Sequence, residues 1–220
     1  MSTRPASPGP ARRARSAGRG PAPGGSRART AGDGPSGARA RAVEIAEAAL
    51  AAPPRLGSVR LVVLDGPSGS GKSTLADAVV AELRARGRRT ALVRTDHFAT
   101  WADPVGWWPR LERGVLEPLA AGRRGEYLPT GWGEPVHPVS VEVPEVLVLE
   151  GVSSARRQVE PHVSLCVWVE LAPAAARLER AVARDGEAER EHLRDWQRVE
   201  QDWFAVDGTQ ERAHVVVTET

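Results

Sequence analysis

The sequence predicts an α/β domain built on a doubly wound parallel sheet of five strands, with helices on both faces. Three observations carry that prediction. Short apolar runs alternate with helical stretches over residues 57–217, the pattern left by strand–helix–strand crossovers. The runs are almost wholly apolar, as in strands covered on both faces. A glycine-rich stretch joins the first run to a long helical pattern, the junction where such sheets take up ligands.

In chain order, residues 1–42 hold nine arginines against one acid, Asp33, together with six prolines and eight glycines. Such a segment buries too little apolar surface to offset the entropy of ordering it, so a disordered tail is expected over 1–42, with the folded domain over 43–220. The tail carries +8 of a whole-chain +2, which leaves −6 on the domain. The calculated isoelectric point of 9.3 therefore describes the tail, and no specific nucleic-acid partner is implied. Arg12-Arg13 is not followed by the apolar stretch of an export signal. The density of Pro and Gly also opposes the amphipathic helix of a transit peptide.

A short helix is expected from Ala42 to the Pro53-Pro54 break, then a strand at Val59–Asp65 and a helix at 72–86 closed by Gly87. Further strands are expected at Ala91–Thr95, Val146–Glu150, Leu165–Leu171 and His214–Val217. Helical segments fall at about 107–121, 174–184 and 187–206. In the last of these Leu193, Trp196, Val199 and Trp203 share one stripe, expected to face the core. Apolar runs such as Leu61–Leu64 are far too short to span a membrane. A single cysteine, Cys166, excludes an internal disulfide and a cysteine zinc site, and points to a reducing, cytoplasmic compartment.

The most informative stretch is Gly66-Pro67-Ser68-Gly69-Ser70-Gly71-Lys72-Ser73-Thr74, which fits G-x-x-x-x-G-K-[ST] between a strand and a helix. This is a P-loop, and nucleotide binding follows for Gly66, Ser68, Gly69, Ser70, Gly71, Lys72, Ser73 and Thr74. Glycines let successive N–H groups curl toward a polyphosphate, and the helix adds its positive N-terminus. Lys72 is the only lysine among 30 basic residues. A chain that uses arginine everywhere else keeps an ammonium here, where a compact point charge is wanted for the β- and γ-phosphates of ATP. The Ser73 hydroxyl is placed to ligate Mg²⁺. With no asparagine in the chain, the Asn-Lys-x-Asp base-reading motif of Ras-type GTPases is excluded. Transporter and motor ATPases usually end an apolar strand in Asp, whereas here Val146–Leu149 ends in Glu150-Gly151.

The loop at 66–74, Thr95-Asp96-His97-Phe98, Leu149-Glu150-Gly151 and a helix ending Arg184-Asp185-Gly186, in this order, resemble the uridine kinase-like branch of P-loop kinases over residues 57–217. The resemblance implies ATP-dependent phosphorylation of a small-molecule hydroxyl, with an arginine-bearing lid over the phosphates. Asp96 follows a strand on the sheet edge that carries the loop and can take the proton of an attacking hydroxyl; capping the next helix is its structural alternative. Glu150 can hold the hydration shell of Mg²⁺, or can be a strand-end charge facing solvent. Arg177, Arg180 and Arg184 share one helical face. The resemblance makes Arg184 catalytic and Arg180 nucleotide-binding, with Arg190 a further candidate, while Glu179 and Asp185 nearby offer surface ion pairs instead.

Between Phe98 and Glu145 lie Trp101, Trp107, Trp108 and Trp132 in a segment of little regular pattern. Their planes suit stacking on a nucleobase or another flat acceptor, or simply pack the insert onto the sheet. The expected acceptor is the 5′-hydroxyl of a pyrimidine nucleoside. A nucleoside monophosphate or another small alcohol is the enzymatic alternative, although the Thr-Gly-x-x-Tyr-Arg stretch of nucleoside-monophosphate kinases is absent. A non-catalytic ATP-binding regulator is the alternative from another class. The oligomeric state, a homo-oligomer included, stays open.

Overall fold

The apolar runs become parallel strands, and their registers fix where the loop and its neighbours stand. A computed structural model describes residues 28–31, 34–133 and 135–219. Its elements are β1 (Ala28–Ala31), α1 (Gly34–Ala51), β2 (Arg60–Asp65), α2 (Lys72–Ala85), β3 (Thr90–Arg94), α3 (Trp108–Leu111), α4 (Glu117–Ala120), β4 (Gly125–Tyr127) and β5 (Val139–Val141). They continue with β6 (Val146–Glu150), β7 (Val163–Leu171), α5 (Ala174–Asp185), α6 (Arg190–Asp207), α7 (Thr209–Arg212) and β8 (Val215–Glu219). The main sheet runs β1-β8-β7-β2-β6-β3, and every pairing in it is parallel. β4 and β5 form a separate antiparallel ribbon inside the 98–145 insert.

The period of two along β2 divides its side chains between two cores. Leu61 and Val63 face a cluster with Phe98, Trp107, Leu111, Leu147 and Trp196. Val62 and Leu64 face Ile45 of α1 and Leu75, Val79 and Leu83 of α2. Helices thus cover both faces, and the central strands β2 and β6 are almost wholly buried. This is the doubly wound P-loop NTPase fold that the alternation predicted.

The five expected strands all form, and a sixth, Ala28–Ala31, joins them by pairing with β8 at the edge. Two expectations are corrected. Disorder expected over 1–42 does not hold for the described part of that segment: α1 begins at Gly34, not Ala42. Tertiary contact supplies what the local composition lacks, for Arg41 is buried and its guanidinium donates to Glu219 at 2.5 Å across 178 residues. The rest of that expected tail, 1–27 and 32–33, lies outside the described residues. On α6, Leu193 and Trp196 are buried as expected, but Val199 is 40% exposed and Glu200, at 2%, takes its place on the inner stripe.

Candidate nucleotide and acceptor site

β2 delivers the chain to the phosphate loop through Asp65, a fully buried carboxylate that local pattern did not single out. One of its oxygens accepts the N–H groups of Gly66 (2.7 Å) and Ser153 (3.0 Å), and the other accepts that of Ala155 (2.8 Å). Asp65 thereby pins the start of the loop to the turn after β6. Burial pushes its carboxyl up to about 7, against the pull of those three amides and of Lys72.

The loop then opens α2 through Gly71, whose φ of +94° no β-carbon-bearing residue adopts readily. Gly69 is required for a second reason: a β-carbon there would lie 2.3 Å from the Arg177 carbonyl oxygen of α5. Ser68, Gly69, Gly71, Lys72, Ser73 and Thr74 line a cleft of about 800 Å³, whereas Gly66 and Ser70 do not. Ser70 is instead fully buried, its N–H donates to the Pro67 carbonyl at 3.2 Å, and its hydroxyl has no partner among the described residues. Both donors of Ser68 are taken by Glu200. Lys72 is buried and its ammonium donates to the Pro67 carbonyl at 2.9 Å.

Facing the loop, β6 ends in Glu150, 4% exposed, so it is no solvent-facing strand-end charge. Its carboxylate accepts the Ser73 hydroxyl at 3.1 Å and lies 3.4 Å from the Arg94 guanidinium. Burial, more than any neighbour, raises its pKa above the usual carboxylate range. Arg94, not singled out by sequence, also pairs with Asp77 at 2.6 Å and lines the cleft. Gly151 lets β6 pass beside β3, since a β-carbon there would meet the Thr95 hydroxyl oxygen at 1.9 Å. Asp96 sits in the single turn Thr95–His97 after β3 and lines the same cleft; no side chain caps that turn. The hard oxygen donors of Ser73 and Glu150, 3.1 Å apart at the cleft, fit a magnesium ion that keeps most of its water.

The arginines expected in a lid divide. Arg180 and Arg184 line the cleft from α5, and Arg184 forks onto its neighbour Asp185 at 2.6 and 2.7 Å. Arg177, expected on the same face, turns back to donate to the Leu171 carbonyl at 2.6 Å. Arg190 does not join them, because Glu179 and Glu187 hold it on the outer surface.

The tryptophans divide as well. Trp107 and Trp108 are buried, and with Trp203 they surround the Arg156 guanidinium at 4.4–5.1 Å. These are packing residues that hold the insert to α6. Trp101 and Trp132 are 41% and 45% exposed and line the cleft with Trp196. Their ring centroids lie 5.2–6.0 Å apart, so three indoles form a corner beside Asp96. Trp132 stands between two glycines at φ +50°, ψ +36°, a backbone costly for a bulky side chain, and its indole N–H donates to the Asp96 carbonyl at 2.9 Å. His97 lines the cleft too and shares a 2.8 Å hydrogen bond with the Tyr127 hydroxyl of β4.

Sheet order, loop and facing carboxylates define a P-loop α/β nucleotide-binding fold. No family model matches the chain, and no curated protein matches it in sequence. Solved structures do match it. A protein described as a possible uridine kinase from Bacillus stearothermophilus superposes with a TM-score of 0.57 at 19% identity, covering 81% of this chain and 98% of that one. A D-glycerate 3-kinase from Cryptococcus neoformans gives 0.54 at 13% identity, covering 79% and 88%. A protein provisionally described as a fructose transport system kinase from a Silicibacter species gives 0.52 at 20%, covering 81% and 98%. The chain therefore shares the fold of P-loop kinases resembling uridine kinase.

Proposed function

We propose that the protein transfers the γ-phosphoryl group of ATP to a hydroxyl of a small molecule, most specifically the 5′-hydroxyl of a pyrimidine nucleoside. One observation carries the reading: Lys72 with its loop, the Ser73–Glu150 pair and Asp96 all open onto one cleft whose far wall is aromatic. Neighbours in fold described as a possible uridine kinase, a fructose transport system kinase and a D-glycerate 3-kinase support transfer to a small-molecule alcohol without choosing among alcohols.

In this reading the loop amides and Lys72 grip the β- and γ-phosphates, and Arg180 and Arg184 close on them from the lid. Arg184 exchanges Asp185 for phosphate as it does so. Ser73 and Glu150 would hold magnesium, which would supply positive charge to the phosphate. Asp96 accepts the proton of the acceptor hydroxyl, whose oxygen bonds to the γ-phosphorus while the bond to the ADP oxygen breaks. The Trp101–Trp132–Trp196 corner stacks the flat part of the acceptor. Among the described residues the cleft arginines, Arg94, Arg180 and Arg184, stand on β3 and α5 rather than in that corner, which favours a neutral acceptor over a phosphorylated one. The buried, unpaired thiol of Cys166 suits the cytoplasm, and among the described residues no helix is long and apolar enough to cross a membrane.

The test is ADP release, coupled to an indicator reaction, with a panel of nucleosides, nucleoside monophosphates, sugars and glycerate. Turnover with uridine or cytidine in excess of the others is the expected result. Preference for a sugar or glycerate would keep the kinase and remove the nucleoside, and release independent of every acceptor would remove both.

A further inference from the structure

Glu200 lies on α6, the helix that follows the lid, and is 2% exposed. An isolated buried carboxylate is costly, so one kept in a core stripe is expected to have found donors. Glu200 finds both of its donors in a single residue of the phosphate loop. Its two oxygens accept the Ser68 N–H at 3.0 Å each, and one accepts the Ser68 hydroxyl at 2.6 Å. Lys72 and Arg177 supply the nearby positive charge, which opposes the raising of its pKa by burial. The next loop residue, Gly69, lies directly against the Arg177 carbonyl of α5. The shoulder of the loop is thus held from one side by the helix that enters the lid and from the other by the helix that leaves it.

We infer that Glu200 is a positioning residue for nucleotide: by fixing Ser68 it sets the path of Gly69–Gly71 and ties the shape of the phosphate loop to the placement of the lid helices. Ser68 accordingly supports the loop rather than donating to phosphate. The inference rests on the nucleotide-binding part of the proposed function. Its physical content is that losing the carboxylate frees two donors at the loop shoulder, and the loop then samples shapes in which its amides do not converge.

Calorimetric titration with magnesium and ADP, beside thermal unfolding, tests it on the full chain. Glu200→Ala is expected to weaken ADP about tenfold, and Glu200→Gln, which keeps one acceptor oxygen, by less. Ser68→Ala is expected to weaken ADP in the wild-type background and to add nothing in the Glu200→Ala background, because the two residues act as one unit. Should Glu200→Ala fail to fold, Ser68→Ala, Glu200→Gln and their double variant carry the same cycle. Unchanged ADP affinity in the variants, even with a lowered melting temperature, makes Glu200 a scaffold residue and overturns the inference. Strictly additive losses overturn it as well. Wild-type protein that takes up no ADP removes the nucleotide site itself, an outcome distinguishable from both.

Discussion

The two walls of the cleft are built by opposite means. The phosphate wall is local: nine consecutive residues supply the loop, and the facing carboxylate comes from the neighbouring strand in register, with Leu64 opposite Glu150. The wall proposed for the acceptor is assembled from distant pieces, Trp101 and Trp132 from the insert and Trp196 from α6, which meet only because the insert folds over the sheet. Grip on a phosphate common to every nucleotide needs backbone geometry that a short motif encodes. Choice of acceptor needs a shaped surface, and shape here comes from packing.

If the walls are independent, substitutions should separate cleanly into losses of chemistry and losses of acceptor. The largest expected effect is on the phosphate wall, where Lys72→Ala should lower kcat by about 10²–10³-fold or more, measured under saturating substrates. Asp96→Asn should lower kcat by about 10²–10⁴-fold while leaving ADP affinity, read by calorimetry, close to wild type. On the acceptor wall, Trp132→Ala should raise KM for the nucleoside by about 10–100-fold, as expected for one lost stacking partner, with ADP affinity unchanged. An equal loss of ADP affinity there would mean that the walls are coupled, whereas a fall in kcat would mean that Trp132 acts through its bond to the Asp96 carbonyl.

Smaller effects sharpen the division. Because burial raises the pKa of Glu150, its carboxylate takes up a proton earlier than an exposed one as the pH falls. The magnesium concentration needed for half-maximal rate should therefore increase as the pH is lowered, from a higher pH than an exposed glutamate would allow, and Glu150→Gln should flatten that dependence. The smallest effect is expected at Arg190, held by two surface acids: Arg190→Ala should leave kcat and both KM values within about twofold, since exposed pairs contribute little. A large loss there would restore Arg190 to the lid.

Much of this was legible beforehand. All five expected strands form, each within two residues of its expected ends, because buried parallel strands are continuous apolar runs bounded by turns. β1 was not legible: Ala-Arg-Thr-Ala carries no apolar signature, and its strand form depends on the edge that β8 offers. Val199 was misplaced and Glu200 missed for one reason. Hydropathy assigns an apolar residue to the inner stripe, whereas a loop amide and hydroxyl at the end of β2 draw the carboxylate there instead. Asp65 and Arg94 were missed likewise, since their roles lie in partners up to 90 residues away.

The sequence alone determined the phosphate loop, the five apolar strands with the helices between them, and the positions of the carboxylates after β3 and at the end of β6, because each depends on spacing within a few residues. Only the tertiary structure decided which tryptophans face the cleft, which arginines reach it, and that a glutamate on the far side of the lid holds the loop. Those outcomes turn on where side chains separated by tens of residues come to rest, and it is packing of the whole domain that sets those distances.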